Sequence, residues 1–162
     1  MEFRIVGPRD HGVLAELFSD LDGSFFGPHA FTTEEAQRLA HHSGRDVYAI
    51  LLSDGRPVAY GMLRGWDEGY LVPSLGIAVR REARGNGYGR LMMAHLHHEA
   101  RARGVTQLRL RVHPNNFIAK RLYESLGYAY SGEERGELLM LVDLGPSWEP
   151  VSREVAEGTS TN

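Results

Sequence analysis

The sequence predicts a mixed α/β fold, α+β in character, with one layer of sheet carrying helices. Three observations lead there. Strand-like runs outnumber helical ones. The helical runs carry apolar residues at helical spacing beside capping residues. A strand, a helix and a second strand follow one another over residues 75–112, the order of a β–α–β crossover. The chain has 162 residues, which suits one domain. It is 42% hydrophobic and 24% charged, a globular balance.

Residues 2–6 read as a first strand. Pro8 and Asp10 then open a helix with Val13, Leu14, Leu17 and Leu21 at helical spacing. A loop rich in Gly, Phe and His follows over 23–31. Thr32 and Glu35 have capping-box spacing, which predicts a second helix to about residue 43. Residues 47–52 are strand-like, Asp54-Gly55 is a hairpin signal, and 57–64 is the partner strand. A polar turn at 66–69 precedes a strand over 70–79, where Pro73 and Gly76 predict a bulge or a break in pairing.

A helix is expected over 87–103, with Met92, Leu96 and Ala100 forming its apolar stripe and Gly104 stopping it. Residues 108–112 form a strand on which Arg109 and Arg111 alternate outward. A short helix over 117–126 is capped by Asn115 or Asn116 and closed by Gly127. Strands at 128–131 and 138–143 complete the sheet. The domain is expected to span 1–144, with a polar, flexible tail over 145–162.

Composition removes several function classes. A net charge of −3 argues against nucleic acid as a partner. No apolar run approaches the ~20 residues of a membrane span, and no secretory signal is visible. The absence of cysteine excludes disulfides and thiolate metal sites, and is compatible with a cytoplasmic protein. No metal site is expected: His95, His97 and His98 share a helix without matched ligands, and His41-His42 reads as a solvated helix end.

The chemistry concentrates in Arg84-Gly85-Asn86-Gly87-Tyr88-Gly89-Arg90, set between a strand and a helix. Alternating glycines remove Cβ atoms that would block a ligand. Successive N–H groups and the helix N-terminus favour an anion, and the flanking arginines add charge. Arg80 and Arg81 crowd the same stretch. The pattern reads as a phosphate or pyrophosphate site. Rossmann and P-loop spacings both fail, because Arg90 stands where a glycine is needed and the only lysine is Lys120.

A second segment, from His113 to Tyr128, completes a two-part pattern. Arg84, Gly87 and Gly89 fit Arg/Gln-x-x-Gly-x-Gly/Ala. Asn116, Ala119, Tyr123, Gly127 and Tyr128 fit Asn-x-x-Ala-x-x-x-Tyr-x-x-x-Gly-Phe/Tyr. Together they resemble the GCN5-related N-acetyltransferase (GNAT) superfamily over roughly residues 3–144. The resemblance implies a twisted, mostly antiparallel sheet of six to seven strands with a splayed parallel pair in the middle, and about four flanking helices. It implies acetyl-CoA as the acyl donor, held by Ile77, Ala78 and Val79 on the splayed strand. Arg84, Gly85, Asn86, Gly87, Tyr88, Gly89 and Arg90 would take the pyrophosphate. Asn116, Ala119, Lys120 and Tyr123 would lie along the rest of the cofactor.

The resemblance also implies Tyr123 as general acid toward the leaving thiolate. Relatives often place a glutamate base on the splayed strand, but Pro73 and Ser74 stand there. Asp67 or Glu68 acting through water and His113 are the candidate bases, and a water chain with no single base is the alternative. Phe25, Phe26, His29, Phe31, Trp66, Asp67 and Tyr70 are the expected acceptor-binding residues. Aromatic and acidic side chains suit a cationic amine. The leading expectation is acetyl transfer to a small-molecule primary amine. A protein or peptide N-acetyltransferase is the alternative, and an acyl-CoA-binding module without turnover is the alternative of another class. Relatives also make a homodimer an expectation. Without cysteine, direct transfer to the amine is the simplest route.

Overall fold

Residues 1–145 are described by a computed structural model. Seven strands form one sheet: β1 (Glu2–Ile5), β2 (Val47–Ser53), β3 (Arg56–Arg64), β4 (Ser74–Val79), β5 (Gln107–Val112), β6 (Ala129–Glu134) and β7 (Glu137–Asp143). Their spatial order is β1-β2-β3-β4-β5-β7-β6. Only β4 and β5 pair in parallel. Among the described residues four α-helices flank the sheet: α1 (His11–Ser19), α2 (Thr33–Ala40), α3 (Tyr88–Ala102) and α4 (Phe117–Ser125). This is the mixed α/β architecture expected from the sequence. The expected tail lies outside the described residues from 146 onward. No described helix is long and apolar enough to cross a membrane.

Local chemistry explains the element boundaries. Thr32 Oγ1 accepts the Glu35 N–H at 3.1 Å and starts α2. Asp54 and Gly55 both adopt positive φ, 52° and 78°, as a tight hairpin turn requires. Asn116 Oδ1 caps α4 by accepting the Ala119 N–H. The polar turn expected at 66–69 is a 3-10 turn, Trp66–Glu68.

Two layers pack on opposite faces. Leu14, Leu17, Phe18 and Leu39 of α1 and α2 meet Tyr48, Ile50, Tyr60 and Met62 of β2 and β3. Met92, Met93, Leu96 and Ala100 of α3, with Tyr123 of α4, meet Leu63, Leu75, Leu108 and Leu110 from the other face. Gly61 permits that approach: a Cβ there would sit 2.7 Å from Met92 Sδ.

The expected strand at 70–79 begins only at Ser74, and it carries no bulge. β4 pairs with β3 in unbroken register from Arg64↔Ser74 to Ala59↔Val79. Register shifts occur instead at Leu51/Leu52 and Tyr130/Gly132. Gly76 serves packing, since its bare Cα leaves room for Met62 and Phe26. The break in pairing falls on the other edge of β4.

Candidate active site

β4 and β5 share a single bridging pair, Ser74↔Arg109, and the Arg109 N–H donates to the Pro73 carbonyl at 3.1 Å. Beyond it the strands part. Backbone polar groups alternate sides along a strand, so Leu75, Ile77 and Val79 face β5 as Pro73 does. The Leu75 N–H still answers the Arg109 carbonyl within that bridge, but past it the N–H and C=O groups of Ile77 and Val79 on this edge find no β5 partner among the described residues. A gap in a sheet with unpaired donors and acceptors is ready to accept an extended ligand as a false strand.

On the α4 side of the gap lies a cavity of about 540 Å³. Ile77, Ala78, Val79, Arg84, Gly85, Gly87, Tyr88, Gly89, Arg90, Asn116, Ala119 and Tyr123 all contribute to it. Gly85 and Gly87 take φ of 82° and 81°, with open space where a Cβ would stand. The first helical bond is Leu91 N–H to Gly87 C=O, and Gly87 offers no side-chain cap. The Tyr88, Gly89 and Arg90 amides therefore lack acceptors among the described residues. Orphan amides at the start of a 15-residue helix form an anion cradle. Asn86 does not line the cavity; its Nδ2 donates to the Ala83 carbonyl at 2.9 Å and shapes the loop.

Arg80 and Arg81 do not join this cradle. Arg80 is 1% exposed and pairs with Glu16 and Asp20 of the α1 region. Arg81 reaches toward Asp22. Lys120 is also turned aside, with Nζ donating to the Pro114 carbonyl at 3.1 Å and packing over Phe117. Arg84 and Arg90 are the cations left at the cavity.

Across the gap is a second cavity of about 420 Å³. Both cavities are lined by Phe25, Phe26, Ile77, Asn116 and Tyr123. Tyr123 is 6% exposed, against Tyr128 on α4's inner side. Its hydroxyl has no hydrogen-bond partner among the described residues. Burial pushes the phenol well above its usual pKa, so it holds its proton at neutral pH.

The second cavity is strongly charged. Arg64, Arg109, Arg111 and Arg135 line it with Glu68, Glu134 and Glu137. Arg109 pairs with Glu134, and Arg111 Nε lies 3.7 Å from Glu137. Glu68 has no such partner among the described residues. Tyr70 is exposed on the rim. Arg109 and Arg111 alternate outward from the core as expected, and the face they share is covered by a cavity. The α1–α2 layer covers β2 and β3, so the same face of β5 is the floor of an open cavity. A period-two pattern marks that face, but not what lies above it.

Other expected acceptor residues lie elsewhere. His29 Nε2 meets the Tyr60 hydroxyl at 2.8 Å among Phe18, Phe26 and Phe31, and burial lowers its pKa. Phe31 packs in the same cluster. Trp66 is buried beneath Arg45 and Arg103. Asp67 accepts the Arg45 N–H and pairs with His42 at 2.6 Å, which holds its carboxyl below the usual range. His42 is thus a structural tie rather than a solvated helix end. Asp46 completes this cluster by accepting the Gly65 and Asp67 amides. His113 lines neither cavity. Its Nδ1 accepts the Asn115 N–H, and its ring packs on Phe25.

A sheet parted at its middle, with an amide-rich cradle and a charged cavity meeting at one tyrosine, defines a transferase that brings two substrates together. The chain belongs to the acetyltransferase (GNAT) family, whose sequence profile matches residues 14–128. A ribosomal protein bS18-alanine N-acetyltransferase of Salmonella typhimurium is 35% identical over 101 residues, covering 62% of this chain and 66% of that protein. The match thus spans just under two thirds of that relative's length. The fold is also that of the GNAT domain of S. lividans PAT, at a TM-score of 0.75 and 19% identity over 88% of this chain and 89% of that one. The ribosomal-protein-S18-alanine N-acetyltransferase of Escherichia coli gives a TM-score of 0.70 at 21% identity, over 93% and 97% of the two chains.

Proposed function

We propose that this chain transfers an acetyl group from acetyl-CoA to the terminal amine of a peptide or protein. The observation that carries the transferase reading is the meeting of the two cavities at Tyr123. The similarity to ribosomal-protein-alanine acetyltransferases supports a polypeptide acceptor over the small-molecule amine expected first.

The residues present fit acetyl-CoA. The orphan amides of 88–90, with Arg84 and Arg90, suit its pyrophosphate. The free β4 edge at Ile77 and Val79 suits the amides of its pantetheine arm. Bound there, acetyl-CoA supplies an acyl group activated as a thioester. Asn116 Nδ2 is free to donate, because only its Oδ1 is used in the helix cap. Tyr123 holds a proton at its hydroxyl for the departing sulfur.

Glu68 removes a proton from the acceptor's ammonium group, directly or through water, so that a neutral amine attacks. Glu134 and Glu137 are already engaged by Arg109 and Arg111. His113 is less suited, since one ring nitrogen is engaged and the ring lies outside the cavity lining.

The test is thiol release from acetyl-CoA with an alanine-first peptide and a panel of small amines, with mass analysis of the products. An acetylated peptide α-amine is expected. Turnover of small amines alone would overturn the polypeptide reading. Acetyl-CoA binding without release on any acceptor would favour a binding module.

A further inference from the structure

The acceptor cavity has more positive charge than its own acids can match. Arg109 and Arg111 are occupied by Glu134 and Glu137. Arg135 stands at the β6–β7 turn with φ of 53°, exposed and without an acidic partner among the described residues. Arg64 is half-buried and donates only to the Pro28 carbonyl, at 3.2 Å. Among the described residues Glu68 is the single acid of the lining without an ion-pair partner.

A second observation points the same way. Arg109 Nε is buried and has no acceptor among the described residues, so this guanidinium is not fully satisfied. Arg109 itself is only part-buried and lines the cavity floor, so its terminal guanidinium nitrogens can offer donors to an oxygen arriving there.

We propose that this cavity selects acceptors with an acidic residue immediately after the amine-bearing one. The inference rests on the polypeptide reading above. The incoming ammonium consumes Glu68, and this leaves Arg64 and Arg135 unmatched. A carboxylate on the next residue restores the balance and accepts donors from the arginine-lined floor. Guanidinium groups suit this role, since their planar donors match a carboxylate. A basic residue in the same place meets like charge in a half-enclosed site, which screens it less than open water does. The volume of about 420 Å³ is in the range of small-ligand sites, and it suits a chain terminus and its neighbour rather than a folded surface.

The test uses the full chain, acetyl-CoA and peptides identical except at the second position, beginning Ala-Glu, Ala-Ala and Ala-Arg. The order of kcat/KM is expected to be Glu above Ala above Arg, with at least about tenfold between the ends. The gap should shrink as salt rises. R135E, which changes an exposed turn, should shrink or invert the gap, and a melting curve checks that it folds. R64Q should shrink it as well. Equal rates on the three peptides, or Ala-Arg as the fastest, overturns the selection while leaving peptide acetylation intact. No peptide turnover beside turnover of a small amine overturns both.

Discussion

The two cavities that meet at Tyr123 are built in opposite ways. The cofactor-side cavity comes mostly from two short stretches, 77–90 and 116–123, and relies on backbone amides and missing side chains. The acceptor-side cavity gathers single side chains from the loop after α1, the ends of β3 and β4, the floor of β5 and the β6–β7 turn. It relies on charge. A backbone cradle constrains sequence locally, because only glycine permits its geometry. A cavity of scattered side chains leaves no local pattern, and its exposed rim residues can change without disturbing the fold. The first arrangement suits a ligand that stays constant, and the second a ligand that varies.

This contrast is broken most forcefully at the shared residue. Tyr123→Phe keeps the ring packing and removes the proton, so kcat should fall by about 10²-fold or more, with little change in KM for acetyl-CoA. An unchanged rate would show that the junction has no acid. The wall behind Tyr123 gives the next largest effect. His97 is 9% exposed, its Nε2 meets the Tyr128 hydroxyl at 2.8 Å, and burial lowers its pKa to about 4. The unfolded chain protonates near pH 6.5 and the folded one near 4, so the unfolded state binds more protons between them. Stability should be full above pH 6.5 and decline by about 3 kcal/mol toward pH 4. Melting curves across that window should be flatter for His97→Gln.

Two smaller effects separate the cavities. Gly87→Asp places a negative charge and a Cβ at positive φ beside the cradle, so calorimetry should show acetyl-CoA binding about tenfold weaker. The peptide order should not change. Glu68→Gln should lower kcat/KM for the acceptor by about tenfold near neutrality, with acetyl-CoA binding intact. That loss should fade as pH rises, because the amine then deprotonates unaided. A pH-independent loss would assign Glu68 to binding alone.

The same contrast explains what could be read from the chain. The Thr32 cap, the Asp54-Gly55 hairpin and the glycine loop are local devices, and each appears in the structure at its expected place. Arg109 and Arg111 were legible as a face, but not as a cavity floor, because that depends on where α1 and α2 end over the sheet. Pro73 and Gly76 signalled irregularity, yet the break is a lost pairing with β5 rather than an extra residue against β3. Trp66, Asp67 and His29 have chemistry that suits a ligand. Their partners Arg45, His42 and Tyr60 come from distant parts of the chain, and only folding shows that these claim them. The Lys120 contact is illegible for a similar reason, since it depends on a carbonyl six residues earlier lying within its reach.

One bridging pair joins β4 to β5, and its consequence extends beyond ligand binding. The sheet is two ribbons fastened at one end. The amide hydrogens of Ile77 and Val79 lie along the open seam, so they should trade with deuterium quickly although they belong to a central strand. Their neighbours turned toward β3, Gly76 and Ala78, should trade slowly. Alternate residues of one strand would thus record two clocks. A molecule seated in the seam should bring them to the same time.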